Sequence, residues 1–196
     1  MKRWRLDGDP SDDVLDELAA MLKAGGVALL PTDTIYGLHA VATNEQAVAR
    51  IAVMKERPAD KRFVIIAASI DQLRALGVAV PELLSNIWPA PLTAVLASGE
   101  TTVAARVPDL AWLRALLTRT GPLISTSANR SGEAPVTSPE MLSADLQNTL
   151  DAVLDQGARE AKPSTIVDFT GSEPRVIREG DSGFSQFLRK TLWKGL

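Results

Sequence analysis

Apolar residues along this chain recur at helical spacing in some stretches and in short continuous runs in others, and the two patterns alternate. Behind the polar start Ser11-Asp12-Asp13, Val14, Leu18 and Met21 with Leu15, Ala19 and Leu22 form one face that stops at Gly25-Gly26. A core-facing helix is expected there. Residues 27–30 are continuously apolar and closed by Pro31, as in a strand buried on both faces, and a polar, turn-prone PTDTIYGL follows. Thr43 with Gln46 reads as a capping box before Val48, Ile51 and Ala52, so a second helix should run out near Met54 and deliver Lys55, Glu56, Arg57 and Pro58. Residues 63–67 predict another buried strand, and Ser69 with Gln72 a capping box for a helix through Leu73 and Leu76.

The alternation continues. A short helix is expected over 81–87, a rigid turn at Trp88-Pro89-Ala90-Pro91, and strands over 92–96 and 103–107 with Arg106 near the end of the second. Leu110, Leu113, Leu116 and Leu117 mark a helix that stops at Gly121. Ser138-Pro139-Glu140 starts a short helix, residues 152–154, 164–169 and 175–178 read as strands, and Phe184, Phe187, Leu188 and Leu192 suit a terminal helix. Such an order of elements predicts an α/β fold with a mostly parallel or mixed sheet and flanking helices. With no repeat, linker or break in composition, residues 1–196 are expected to form one domain.

Three polar stretches stand at predicted strand or helix ends. STSANRSG, residues 125–132, follows the apolar Pro122, Leu123 and Ile124 and reads as a strand ending in a polar turn at a sheet edge, where open α/β folds hold ligands. Ser127, Asn129 and exposed backbone N–H groups there would suit a phosphate, although a plain surface turn fits the same residues. Lys55, Arg57, Lys61 and Arg62 are the densest basic cluster, either a solvated loop or a pair of cations aimed at a polyphosphate. Thr32, Asp33, Thr34 and Tyr36 offer hydroxyls and a carboxylate to the amine and hydroxyl of a small polar substrate, or simply cap a turn. Ser164, Thr165 and Arg178 have the same two readings.

Composition narrows the chemistry. Of 196 residues, 45% are hydrophobic and 23% charged, an ordinary soluble balance, and the net charge of −3 argues against a protein whose main task is gripping nucleic acid. The absence of cysteine removes thiol nucleophiles and thiolate metal sites, and a single histidine, His39, is too few for the usual zinc centre. No apolar run approaches membrane-spanning length, so a cytoplasmic location is expected. GxxxxGK[ST], GxGxxG and GxSxG are all missing, which leaves a nucleotide site only by another design.

In order, PTDTIYGL (31–38), KERPADK (55–61), WPAPLT (88–93), TVAARVPD (102–109), STSANRSG (125–132), PSTIVD (163–168) and IREG (177–180) resemble the YrdC/TsaC family of threonylcarbamoyl-AMP synthases. The resemblance implies an open, twisted α/β fold with a large cationic cavity, in the short form that has the catalytic domain alone. It implies a reaction of L-threonine, bicarbonate or CO2, and ATP with Mg2+, giving threonylcarbamoyl-AMP and pyrophosphate. The product would serve N6-threonylcarbamoyladenosine formation at tRNA position 37 through downstream transfer proteins, with weak direct tRNA contact at most and no membrane. Carried over by motif, Lys55, Arg57, Ser127 and Asn129 would bind phosphate, while Thr34, Arg106 and Ser164 would contact threonine or its carbamate. Thr102, Thr137, Arg178 and Lys61 would help hold ATP. His39, Ala90 and Glu179 depart from the family's glycine, glycine and proline, and Ile66 from the histidine of longer relatives. His39 would then narrow the cavity mouth, and Glu179 would weaken the hold of Arg178 on an anion. A noncatalytic RNA-binding protein of this fold, or a paralogue acting on another carbamoyl compound, are the alternatives.

Overall fold

The computed structural model describes residues 1–56, 62–130 and 133–192. Its elements are β1 (Lys2–Arg5), α1 (Asp12–Lys23), β2 (Ala28–Leu30), β3 (Gly37–Val41), α2 (Glu45–Met54), β4 (Val64–Ile66), α3 (Ile70–Ala75), β5 (Leu92–Ser98) and β6 (Thr101–Arg106). They continue with α4 (Ala111–Thr120), β7 (Leu123–Ser127), α5 (Ala144–Asn148), β8 (Ala152–Asp155), β9 (Thr165–Asp168), β10 (Arg175–Arg178) and α6 (Ser182–Leu192). Single 3-10 turns at Glu82–Asn86 and Pro139–Met141 stand where short helices were expected.

The strands make one mixed sheet in the order β1-β8-β2-β3-β7-β4-β6-β5-β9-β10. β1 and β2 both run parallel to β8, β4 to β6 and β5 to β9, whereas β3 is antiparallel to both β2 and β7. Two strands lie outside the sequence reading. β1 has no apolar run and exists through its pairing with β8. β3 begins inside the stretch read as a turn: Gly37 and Leu38 already pair with Leu30 and Leu29.

Two caps differ in detail from their expected form. Asn44, one residue beyond Thr43, caps α2 by accepting from the Ala47 amide at 3.0 Å. Asparagine offers the same short acceptor and sits one residue closer to the helix. Ser69 does accept from the Gln72 amide, but Gln72 reaches back to the Ala68 amide rather than to that of Ser69.

The period-two alternation of β2, β7 and β8 splits the core between the sheet's faces. Ala28, Leu30, Leu123, Ala152 and Leu154 pack under α1 and α4, while Val27, Leu29, Ile124 and Val153 pack under α2 and α5. A third cluster joins Leu73, Trp88, Leu92, Ala94, Val167 and Leu188 on the β5, β6 and β9 side. What positions the site is a change of character along single strands. The α1/α4 face of β7 passes from Leu123 in the core to Ser125 and Ser127, and β6 ends on Arg106 on the face it shares with Ala104. Beyond the reach of these two helices the sheet is left uncovered, and the cavity lies there.

Candidate functional site

A cavity of about 440 Å³ opens on this face, its floor made by β3, β7, β4, β6, β5 and β9. Apolar side chains of Val64, Ile66, Val95 and Ile166 supply the flat part of the floor. Three guanidinium groups, Arg62, Arg106 and Arg178, line it, and no carboxylate does among the described residues. Such a lining favours an anion with an apolar part.

Arg106 is fixed at one end. Its side chain is 6% exposed and ion-paired with Asp33, which is 7% exposed, and its Nη1 donates to Thr34 Oγ1 at 3.1 Å. The second carboxylate oxygen of Asp33 accepts from the Asp109 amide at 3.0 Å, tying the end of β6 to the turn after β2. Burial pushes the Arg106 pKa down, and Asp33 opposes that shift. The hydrogens can be counted. Thr32 Oγ1 spends its single proton on the Ile35 carbonyl at 2.9 Å, so in its 2.9 Å contact with Thr34 the proton is that of Thr34. Thr34 Oγ1 therefore meets a ligand as an acceptor, suited to an ammonium or hydroxyl.

At the opposite wall, Thr93 Oγ1 and Ser164 Oγ lie 2.8 Å apart, and Arg178 Nη2 donates to the Ser164 carbonyl at 2.8 Å. Partial desolvation lowers the pKa of Arg178. Glu179 does not compete for it: its carboxylate is paired with Arg189 on α6, because side chains alternate along the strand end and Glu179 turns away from the cavity. The expected weakening of Arg178 by Glu179 is thus corrected. Gly180 is required here, since a Cβ would come 2.2 Å from the Pro163 carbonyl oxygen and 2.7 Å from the Thr165 nitrogen.

The described residues of the loop after β7 bond to one another and to Lys55. Lys55, 2% exposed at the C-cap of α2, donates from Nζ to the carbonyls of Ser127 and Asn129 and, at 3.1 Å, to Asn129 Oδ1. Ser127 Oγ also donates to Asn129 Oδ1, and Asn129 Nδ2 to the Glu133 carbonyl. The backbone is equally committed: Ala128 N donates to Tyr36 O, Asn129 N to Ser127 O and Arg130 N to Glu133 Oε2. Of the N–H groups expected to face a ligand, those of residues 128–130 close the turn itself, and those of Ser131 and Gly132 lie outside the described residues. β7 is also an inner strand, between β3 and β4, and the loop leaves its carboxyl end.

A profile of the Sua5/YciO/YrdC family, described as telomere recombination, matches residues 20–180. The chain belongs to the Sua5/YciO/YrdC family. It is 35% identical over 179 residues to a Pyrococcus abyssi protein named threonylcarbamoyl-AMP synthase, covering 83% of this chain and 52% of that one. It is 33% identical over 180 residues to a protein of the same name from Stutzerimonas stutzeri, covering 84% and 96%. The crystal structure of P. abyssi Sua5 complexed with L-threonine superposes with a TM-score of 0.88 at 30% identity, over 98% of this chain and 61% of that one. The chain thus spans little more than half the length of the archaeal synthase.

Within this Sua5/YciO/YrdC fold, the residues singled out from sequence divide into three groups. Thr34, Arg106, Ser127, Ser164 and Arg178 share the one cavity. Lys55 and Asn129 stand behind its wall and act on it through the loop, while Thr102 and Thr137 are not in its lining. Thr102 falls at the exposed edge of the floor, where its carbonyl accepts from Arg62 at 2.8 Å, and Thr137 Oγ1 faces Met141 Sδ. Arg57 and Lys61 lie outside the described residues. Arg62 and Thr93 are lining residues the sequence reading did not single out as site residues; Arg62 had a signal in its place in the basic cluster, and Thr93 in closing the WPAPLT motif. His39 does not narrow the mouth, for it is wholly buried behind the lining.

Proposed function

We propose that this protein is an L-threonylcarbamoyladenylate synthase, joining L-threonine, bicarbonate or CO2, and ATP, with release of pyrophosphate, for N6-threonylcarbamoyladenosine formation in tRNA. The observation that carries this reading is the cavity in which Thr34, Arg106, Ser127, Ser164 and Arg178, drawn from five separate segments, face one space with no lining carboxylate among the described residues. The names of the relatives support it.

The chemistry asks for such a site. A threonine amine adds to CO2 to give a carbamate, whose oxygen attacks the α-phosphorus of ATP in line with the departing pyrophosphate. Both reactants are anions, so they approach only where fixed positive charge replaces their water. In this reading Arg106 holds the carboxylate or carbamate, Thr34 Oγ1 accepts from the threonine amine or hydroxyl, and Ser164 limits the side-chain end. Arg178 and Arg62 meet ATP. Lys55, Ser127 and Asn129 turn from one another to the phosphoryl oxygens, Arg57 and Lys61 are assigned to the phosphates by motif alone, and Thr102 and Thr137 flank the nucleotide.

Mg2+ enters as part of the ATP substrate. No cluster of His, Cys, Asp or Glu able to hold a metal occurs among the described residues, and Asp33 is committed to Arg106 and the Asp109 amide. Each protein step above is assigned to the chain's own donors. Transfer of the group to tRNA belongs to downstream proteins in this reading. None of the helices among the described residues is long and apolar enough to cross a membrane, which accords with a cytoplasmic place of action.

Pyrophosphate release from ATP tests the reading directly. Release that requires both L-threonine and bicarbonate is the expected outcome. Intact ATP in their joint presence overturns it, and salt-dependent tRNA binding by inactive protein would favour the noncatalytic alternative.

A further inference from the structure

His39 is the chain's single histidine, fully buried and used by no step above. It lies on β3 directly opposite Ser125 on β7, on the same face as Gly37 and Ser127, at the seam between the α1/α4 core and the cavity. Its Nε2 is 3.1 Å from Ser125 Oγ, and Ser125 lines the cavity. The ring packs over Gly37, where an added Cβ would meet Cε1 at 2.9 Å. Its Nδ1 is buried without a hydrogen-bond partner among the described residues.

That arrangement costs stability. A buried nitrogen with no partner is unfavourable, and an aliphatic side chain would fill the same space without it. The compensating interaction is the bond to Ser125. Burial pushes the His39 pKa down to about 3, so the ring is neutral at ordinary pH and carries one proton. The Gly37 backbone also acts on the ring and opposes the fall in its pKa, but Nδ1 has no partner in hydrogen-bond geometry, so a proton on Nε2, facing Ser125 Oγ, would leave only a lone pair buried. Nε2–H then donates to Ser125 Oγ. In that tautomer the hydroxyl hydrogen is displaced from the ring and is free to turn toward the cavity that Ser125 lines.

We propose that His39 is a positioning residue that, by donating to Ser125, presents the Ser125 hydroxyl to the cavity as a hydrogen-bond donor for an oxyanion of the bound substrate. The proposal rests on the synthase reading for the identity of that anion, a carbamate, carboxylate or phosphate. For the direction of the hydroxyl it rests on the geometry alone. The opposite tautomer would present a lone pair to an anion and repel it.

Two measurements test it. With one histidine in the chain, the imidazole nitrogens of ¹⁵N-labelled protein give a single unambiguous pair of signals. The expected spectrum has Nε2 protonated and Nδ1 bare between pH 5 and 8, on the order of the range in which a free histidine would titrate. A proton on Nδ1, or a ring that charges in that range, overturns the proposal without any need for turnover. This keeps it separate from failure of the synthase reading.

The second measurement is pyrophosphate release by Ser125→Ala, His39→Leu, His39→Gln and the Ser125→Ala/His39→Leu pair. Losing one hydrogen bond to a charged group should lower kcat/KM about 10–100-fold in either Ser125→Ala or His39→Leu. The pair should lose no more than Ser125→Ala alone, since His39 acts only through the hydroxyl that Ser125→Ala removes. His39→Gln keeps an N–H at that reach and should restore most of the loss. A double variant that multiplies the two losses, or a His39→Gln as poor as a folded His39→Leu, refutes the assignment.

Discussion

Replacing Asp33 with Ala leaves the Arg106 guanidinium inside the protein without its counter-ion. In the native chain the two side chains are 6% and 7% exposed, so water does little to replace the lost carboxylate. Removing one member of a buried pair typically costs about 3–5 kcal/mol, because the surviving charge keeps its desolvation penalty and loses the attraction that offset it. The Asp109 amide loses its acceptor in the same substitution, adding about 1 kcal/mol. For a chain of this size about 1 kcal/mol shifts Tm by roughly 2–4 °C, so Asp33→Ala should melt about 8–24 °C lower. Thermal and urea unfolding of Asp33→Ala, Arg106→Met and the double variant provide the check. Arg106→Met alone should also destabilise, since it strands Asp33. The double variant should recover much of the lost stability while remaining inactive, because an apolar pair of similar volume needs no desolvation. A drop of under about 2 °C in Asp33→Ala would mean that solvent reaches the pair through the cavity and that the two charges are not a buried unit.

Other expectations follow from the same geometry. Because His39 is held near 3 when folded and near 6.5 when unfolded, the unfolded chain alone takes up its proton between those values. Stability from this residue is complete above about pH 6.5 and falls as pH drops, by about 2 kcal/mol at pH 5; unfolding curves of wild type and His39→Leu should diverge across that window, and parallel curves would remove the histidine as the cause. Gly180→Ala forces backbone apart at the Ser164 carbonyl and should cost about 1–3 kcal/mol, with a raised KM for ATP through Arg178; unchanged melting would show that the strand end yields freely. Lys55→Ala leaves the Ser127 and Asn129 carbonyls without their cation, and kcat/KM should fall by the equivalent of about 2–4 kcal/mol. Activity within a few-fold of wild type would take Lys55 out of the site.

How much of this was legible in the sequence depended on whether the signal was local. α1 declared itself through its cap and its stripe of Leu15, Leu18 and Leu22, and β7 and β8 through short apolar runs. β1 and β3 did not, because neither is stabilised by its own residues. KRWR becomes a strand by pairing with β8, and GLHAV by lying between β2 and β7, which are partners far away in the chain. The site divided in the same way. Arg106, Ser164 and Arg178 stood at the ends of predicted strands, and all three line the cavity. Thr93 hides inside an apolar run, and the role of Lys55 as the tie of the 127–129 loop depends on a contact across 72 and 74 positions. The pairing of Glu179 with Arg189 likewise needed the turn that brings α6 back against β10.

The closed circle of bonds among Lys55, Ser127 and Asn129 makes the empty site a rival for its own ligand. An incoming anion gains only the difference between what it offers these donors and what they already give one another. A lone chloride or a single sulfate would replace few of those bonds, whereas a triphosphate with several charged oxygens would replace more of them at once, so under the proposed function the loop itself would favour a polyphosphate before any contact with adenine. The same rivalry would work on the way out. As pyrophosphate left, the loop would recapture its donors, and departure would proceed by exchange rather than by baring a buried ammonium.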